Sequence, residues 1–138
     1  MSIKVPAWIA YEVTSRAVMR CEYCRAPQMV IGQTFHIDHI VPKAERGKTS
    51  AENLCLACAH CNIAKSSCVK AIDPLTKKKV LLFNPRKDLW QEHFRWSKDK
   101  RILLGKTLKG RATVVALDMN AEILQEARGF WCDLKMFP

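Results

Sequence analysis

Cys21-Glu22-Tyr23-Cys24, then Thr34-Phe35-His36-Ile37-Asp38-His39-Ile40-Val41, then Asn53-Leu54 and Cys58-Ala59-His60-Cys61-Asn62, decide the reading of this 138-residue chain. Two Cys-x-x-Cys pairs bracket a strand-like run that carries an Asp-His step. Zinc takes tetrahedral thiolate coordination, and a Cys-x-x-Cys turn aims both sulfurs at one ion. The spacing therefore predicts a structural Zn2+ held by Cys21, Cys24, Cys58 and Cys61. The interval from Cys24 to Cys58 exceeds that of a simple zinc ribbon and suits a site clamping the ends of an inserted strand–strand–helix unit.

Cys55, Cys58 and Cys61 also make Cys-x-x-Cys-x-x-Cys, a spacing found in iron–sulfur ligand runs. That alternative leaves Cys21 and Cys24 to be explained separately, and colour distinguishes a brown cluster from colourless zinc. Cys55, between Leu54 and Leu56, reads as a small strand residue, and Cys68 and Cys132 as free thiols.

Working outward, Ala7 to Met19 predicts a helix whose apolar stripe includes Trp8, Ile9 and Val13. Thr34 to Val41 reads as a strand ended by Pro42, Lys43 to Ser50 as a loop containing Gly47, and Asn53 to Ala57 as a second strand. A helix begins near Cys58 and runs past Lys65. Downstream, Ala71-Ile72 and Val80 to Phe83 flank a tight connection, and Asn84-Pro85 starts a helix over Asp88 to Phe94. Arg101 to Leu104 reads as a strand and Gly110 to Leu117 as a helix. Asn120 caps a last helix over Ala121 to Asp133, with Ile123, Leu124, Ala127, Phe130, Trp131 and Leu134 as its apolar face.

The net charge of +10 is localised. Lys65 to Arg111 holds 14 Lys/Arg against four acids, while the rest of the chain balances at nine of each sign. A basic segment beside a candidate site for phosphate chemistry reads as a phosphate-tracking surface, since Lys/Arg contacts release counterions from a polyanion. Arg86, Lys87, Arg95, Arg101 and Arg111 are candidate phosphate contacts. Phe83, Trp90, Phe94 and Trp96 suit base stacking or, more commonly, a core. No apolar run approaches the roughly 20 residues of a membrane span. The first residues do not read as a secretory signal, so a cytoplasmic setting without membrane attachment is expected.

Phosphodiester hydrolysis needs an activated water, neutralised phosphate charge and help for the leaving oxygen. An imidazole can take the proton of the water, and one divalent ion can bind a phosphate oxygen and the leaving oxygen together. Asp38 is a hard oxygen ligand suited to Mg2+ or Mn2+. On a regular strand His39 points to the opposite side from Asp38, which suits an ion and a water on either side of one phosphorus. His36 shares the Asp38 face and reads as a hydrogen-bonded strand residue, His60 as an exposed knuckle residue and His93 as packing or solvent-facing.

The ordered string Cys21-x-x-Cys24, Asp38-His39-Ile40-Val41-Pro42, Gly47, Asn53-Leu54, Cys58-x-x-Cys61-Asn62-x-x-Lys65 resembles the HNH endonucleases, the ββα-metal nucleases with zinc knuckles. Leu82-Phe83-Asn84-Pro85-Arg86, Trp90, His93-Phe94 and Gly110-Arg111-Ala112-Thr113 are similar to one group of small stand-alone bacterial HNH proteins. The resemblance implies that His39 is the general base and Asp38 a ligand of the catalytic divalent ion. It implies that Asn53 fixes the loop and orients His39. Asn62 stands where the family often has histidine and would complete the ion site, and Lys65 would face the substrate phosphate. DNA ends bearing 5′-phosphate and 3′-hydroxyl follow from the same likeness.

The expected architecture is α+β: an N-terminal helix in 1–20, a zinc-clamped ββα-metal core over 21–70, and a basic mixed α/β lobe over 71–138 in the same compact unit. The expected function is metal-dependent hydrolysis of DNA, with RNA an alternative substrate, by a monomer or homodimer. Two other readings stand beside it. A non-catalytic nucleic-acid-binding zinc module would bind in a salt-sensitive way without cleaving, and a protein-interaction zinc domain would show no salt-dependent retention on DNA.

Overall fold

Strand β1 (His36–His39) pairs antiparallel with β2 (Leu54–Ala57), placing Asp38 opposite Cys55 and His39 opposite Leu54. The computed structural model in which this pairing occurs describes residues 4–138. Residues 1–3, which open the expected 1–20 segment, lie outside the described residues. β1 is shorter than the expected Thr34–Val41 run, and Asn53 sits in a 3-10 turn (Ala51–Asn53) before β2 rather than in the strand. The helix α1 (Ala7–Arg16) packs on this pair through Ile9 and Val13. Trp8, expected in the same stripe, is 69% exposed, because neighbours on a helix differ by about 100°. Arg16 donates to the carbonyls of Ala51 and Leu54, which ties the end of α1 to the turn preceding β2.

A single turn, α2 (Gln28–Ile31), ends at Gly32 with φ 73°, the left-handed cap that favours glycine. After β2, the helix α3 (Ala59–Lys65) completes the strand–strand–helix unit. It faces β1.

The basic lobe begins with a hairpin of β3 (Lys70–Ile72) and β4 (Lys79–Leu81). Its turn folds around Asp73, whose carboxylate accepts from the backbone of Leu75 and Thr76 and from the Thr76 hydroxyl. The expected helix over Asp88 to Phe94 is only one turn, α4 (Trp90–His93), because Phe94 opens β5 (Phe94–Trp96), paired with β6 (Leu103–Gly105). The helix α5 (Leu108–Ala116) starts two residues before the expected Gly110, capped by Thr107, which accepts from the Gly110 N–H at 3.0 Å. Gly110 serves packing instead of a turn: a Cβ there would stand 2.0 Å from the His93 carbonyl oxygen.

Two sequence expectations fail at the last helix, α6 (Glu122–Asp133). Asn120 does not cap it. Its amide instead pairs with the backbone N–H and carbonyl of Leu103, as a neighbouring strand would. Of the expected apolar face only Leu124 and Trp131 are fully inside, and Ile123, Phe130 and Leu134 are exposed. The inward position between Leu124 and Trp131 is taken by Arg128. Its guanidinium donates to the carbonyls of Arg101 and Met119 and lies over the rings of Trp96 and Trp131. A buried arginine needs such partners to offset lost hydration, and neither its partners nor its burial can be read from the spacing of α6.

Phe83, Phe94, Trp90 and Trp96 form, in that order, a continuous aromatic cluster with successive ring centroids 5.1, 5.2 and 5.7 Å apart, so the core reading of these rings holds. Trp90 Nε1 donates to the Tyr23 carbonyl at 2.8 Å, and Arg86 pairs with buried Glu22, joining the basic lobe to the first cysteine turn. The molecule is a mixed α/β fold of helices and three small antiparallel pairs. No described helix is long and apolar enough to cross a membrane.

Candidate metal centre and active-site cleft

Both cysteine pairs sit in turns whose backbone points at sulfur. Cys24 N–H approaches Cys21 Sγ at 3.5 Å, and Cys61 N–H approaches Cys58 Sγ at 3.4 Å, with Cys58 as the N-cap of α3. Arg25 adopts φ 68° to close the first turn. The four sulfurs of Cys21, Cys24, Cys58 and Cys61 are buried and lie within 4.8 Å of one another, with Cys24 and Cys58 at 3.7 Å. A tetrahedral zinc with bonds of about 2.3 Å has sulfur–sulfur edges near 3.8 Å, so the arrangement fits a structural metal such as zinc. Crowding also splits the ionisation of the thiols. Hydrogen bonds from Cys21, Cys24 and Cys61 pull the Cys58 thiol far below its ordinary range, while the same crowding pushes Cys24 and Cys61 well above it. Four adjacent thiols ionise together only around a cation. Cys55 is outside this cluster and faces Asp38, while Cys68 is exposed.

Asp38, His39 and Asn62 line one shallow cleft of about 270 Å³, with Ile37, Pro42, Lys43 and Ser66. β1 supplies the first two, and α3, anchored by Cys58 and Cys61, supplies the third. The Asn62 side-chain amide makes no hydrogen bond among the described residues, whereas Asp38 is nearly enclosed. Its Oδ2 accepts from the Tyr23 hydroxyl at 2.9 Å and from Lys65 Nζ at 3.1 Å. Burial raises the Asp38 pKa above the ordinary carboxylate value despite the opposing pull of Lys65 and Tyr23. Burial likewise lowers the His39 pKa below that of free histidine, against the pull of Asp38, which favours the neutral imidazole needed to accept a proton.

His39 Nε2 is 2.9 Å from the Thr49 hydroxyl. Asn53 makes no side-chain hydrogen bond to His39 among the described residues. It clamps the intervening loop, accepting from Val41 N–H at 2.9 Å and donating to the carbonyls of Val41 and Lys48. The imidazole itself meets Thr49 on that loop, a residue the sequence did not single out. Its only signal was its place inside the loop between Pro42 and Asn53. Gly47 is part of this clamp: a Cβ there would lie 1.6 Å from the Val41 oxygen and 2.9 Å from Asn53 Nδ2. The Gly47→Ala variant is expected to displace the loop and break the His39–Thr49 contact while leaving the four-cysteine centre able to bind zinc, measured by the imidazole NMR resonances of His39 beside elemental analysis. His39 resonances unchanged from the parent would show that the loop does not govern His39.

Several expected phosphate contacts are placed otherwise. Lys65 is 1% exposed and paired with Asp38, so it does not face substrate. Arg86 pairs with Glu22, whose other oxygen accepts from the Leu56 N–H, and burial pushes the Arg86 pKa down to about 10. Arg111 holds Asp73 through two hydrogen bonds at 2.8 and 2.9 Å. A carboxylate needing a partner in the interior outcompetes solvent for each of these cations. Lys87, Arg95 and Arg101 are exposed, as are Lys70, Lys77, Lys78 and Lys79 on the β3–β4 hairpin, which the sequence reading passed over despite the Lys77-Lys78-Lys79 run. His36 is exposed, His60 Nε2 lies 2.8 Å from the Asp118 carbonyl, and His93 meets the Thr107 hydroxyl.

The cysteine turns, the strand pair and the following helix coincide with a known pattern. Residues 21–67 match the HNH endonuclease family. Over 63 residues, 45% of this chain, the sequence is 36% identical to the CRISPR-associated endonuclease Cas9 of Corynebacterium diphtheriae. The chain spans 6% of the length of that relative. No solved structure matches the chain. The HNH match covers both cysteine pairs and the whole cleft, and ends before the basic hairpin.

Proposed function

We propose that this protein is an HNH-type, metal-dependent endonuclease that hydrolyses phosphodiester bonds of DNA. The observation that carries the reading is the convergence of a neutral-leaning imidazole, a carboxylate and an unengaged amide in one open cleft. Asp38 and Asn62 would hold a divalent ion such as Mg2+ or Mn2+, which would supply charge neutralisation for phosphodiester hydrolysis. His39, its Nε2 engaged by Thr49, has Nδ1 left to take the proton of the attacking water. Asn62 offers its side-chain oxygen without first breaking another contact. Lys43, at the cleft wall, adds positive charge where a phosphate would enter. The products would carry 5′-phosphate and 3′-hydroxyl ends. A single cleft cuts one strand, so a monomer would nick, and a double-strand cut requires two copies. A cytoplasmic setting suits these substrates.

The engagement of Asp38 by Lys65 favours a second reading, a zinc module that binds nucleic acid without cutting it. Supercoiled plasmid incubated with the zinc-loaded protein and added Mg2+, added Mn2+ or neither separates the two. Nicking that requires the added ion is the expected result. Salt-sensitive retardation of the plasmid without any nicking under either ion would overturn the enzyme reading.

The surface that holds DNA is expected to include the β3–β4 hairpin and Lys87. Replacing Lys77, Lys78 and Lys79 together with alanine should weaken DNA binding and flatten its salt dependence by up to about three counterion equivalents, without lowering the melting temperature. Arg86→Ala should do the reverse. It leaves Glu22 buried and unpaired, at a cost on the order of 3 kcal/mol of stability, with little change in the salt slope. Filter binding across a salt series, paired with thermal melts, checks both.

A further inference from the structure

Lys65 is a buried cation placed against a carboxylate that the proposed chemistry assigns to a divalent ion. Its Nζ lies 3.1 Å from Asp38 Oδ2 and donates to the His39 carbonyl at 3.1 Å, so one head group holds both members of the Asp-His pair. The position is built in. Cys58, Cys61 and Lys65 recur at the spacing of one helix face, so the metal centre that fixes the start of α3 also fixes Lys65 over Asp38. Tyr23, between the cysteines of the first pair, donates to the same Oδ2, and Cys55 Sγ stands 3.9 Å from it. These donors converge on one oxygen, and Oδ1 has no protein donor among the described residues.

We propose that Lys65 sets the order in which the catalytic ion loads: its charge cancels that of Asp38, so the free protein holds the ion weakly and retains it only once a DNA phosphate supplies the missing negative charge. The inference rests on the reading of Asp38 and Asn62 as the ion ligands. Magnesium-type sites built on protein groups draw their charge from one or two carboxylates together with substrate phosphates. Here the single carboxylate is already paired, Asn62 is neutral, and Lys43 adds a further positive charge at the wall. Before substrate arrives the cleft therefore attracts a phosphate better than a divalent cation. Lys65 is a positioning residue, acting through Asp38 and the His39 backbone.

Removing the Lys65 charge should tighten ion binding in the absence of DNA, an effect opposite to that of damage to the site. The test is Mn2+ titration of the zinc-loaded full chain followed by the electron paramagnetic resonance signal of free Mn2+. Lys65→Met and Lys65→Gln, the second retaining a hydrogen-bond donor, should each bind Mn2+ at least about tenfold tighter than the parent, since the unit charge paired with the ion's one carboxylate is removed. With a duplex bearing non-cleavable phosphorothioate linkages, the parent should gain far more Mn2+ affinity from DNA than either variant does. Zinc content confirms that each variant retains its centre. Asp38→Asn made in the Lys65→Met background should abolish the tight site. If it does not, the ion lies elsewhere, and the ligand reading and this inference fall together. If Asp38→Asn abolishes binding in that background but Lys65→Met and Lys65→Gln bind Mn2+ no tighter than the parent, the loading order alone is overturned.

Discussion

Stripping the metal from the four-cysteine centre, or replacing Cys58 or Cys61 with serine, is expected to unfold the segment 21–67 and with it the contacts to the basic lobe. Structural zinc centres of this type contribute apparent free energies of about 10–16 kcal/mol in small domains, comparable with the whole stability of an ordinary domain at about 5–15 kcal/mol. The first turn, with fully buried Tyr23, and the second, which starts α3, converge at the four sulfurs, and Asp38 is held by Tyr23 from the one and Lys65 from the other. Trp90 reports the event directly, because its indole N–H donates to the Tyr23 carbonyl. A strong chelator should red-shift tryptophan emission and abolish the cooperative thermal transition, and added zinc should restore both. A transition of unchanged midpoint in metal-free protein would mean that the cysteines serve only as buried apolar side chains.

Replacing His39 with alanine is expected to lower single-turnover cleavage by about 10²–10⁴-fold, the usual worth of a positioned general base, while leaving zinc content and melting temperature close to the parent. The stability side follows from the surroundings. His39 is half-buried at the cleft edge, its side chain meets Thr49, and the hydrogen bond to Lys65 comes from its backbone carbonyl, which alanine keeps. The activity side depends on burial holding the ring below its ordinary pKa, so that the neutral form is available near pH 7. Rates should be compared at saturating Mn2+, so that a change in ion affinity at neighbouring Asp38 is not mistaken for loss of the base. Equal rates in the two proteins would remove His39 from the mechanism.

The two cysteine pairs, Asp38-His39 and Asn62 were legible in the chain because each is a short-range pattern. A Cys-x-x-Cys turn presents its sulfurs whatever surrounds it, and the run ahead of Pro42 has strand character on its own. Fold class followed, since two thiolate turns flanking a strand–strand–helix leave few ways to close. The limits of β1 and α4 were not legible, because a strand ends where its partner ends and α4 yields to the pairing of β5 with β6. The Asn120 expectation failed for a related reason. An asparagine before a helix has the chemistry of a cap, yet the exposed backbone of Leu103 offered it a donor and an acceptor at once.

Charge shows the division most clearly. Counting Lys and Arg located the basic segment, because net charge is a property of composition. It could not say which cations are free. Lys65, Arg86 and Arg111 each meet a carboxylate distant in sequence, Asp38, Glu22 and Asp73, and burial makes those pairs obligatory. Local residue order thus settles which chemical groups the protein possesses and which turns it makes. Which of them reach solvent, and that Lys65 stands against Asp38, depends on packing between elements far apart in the chain.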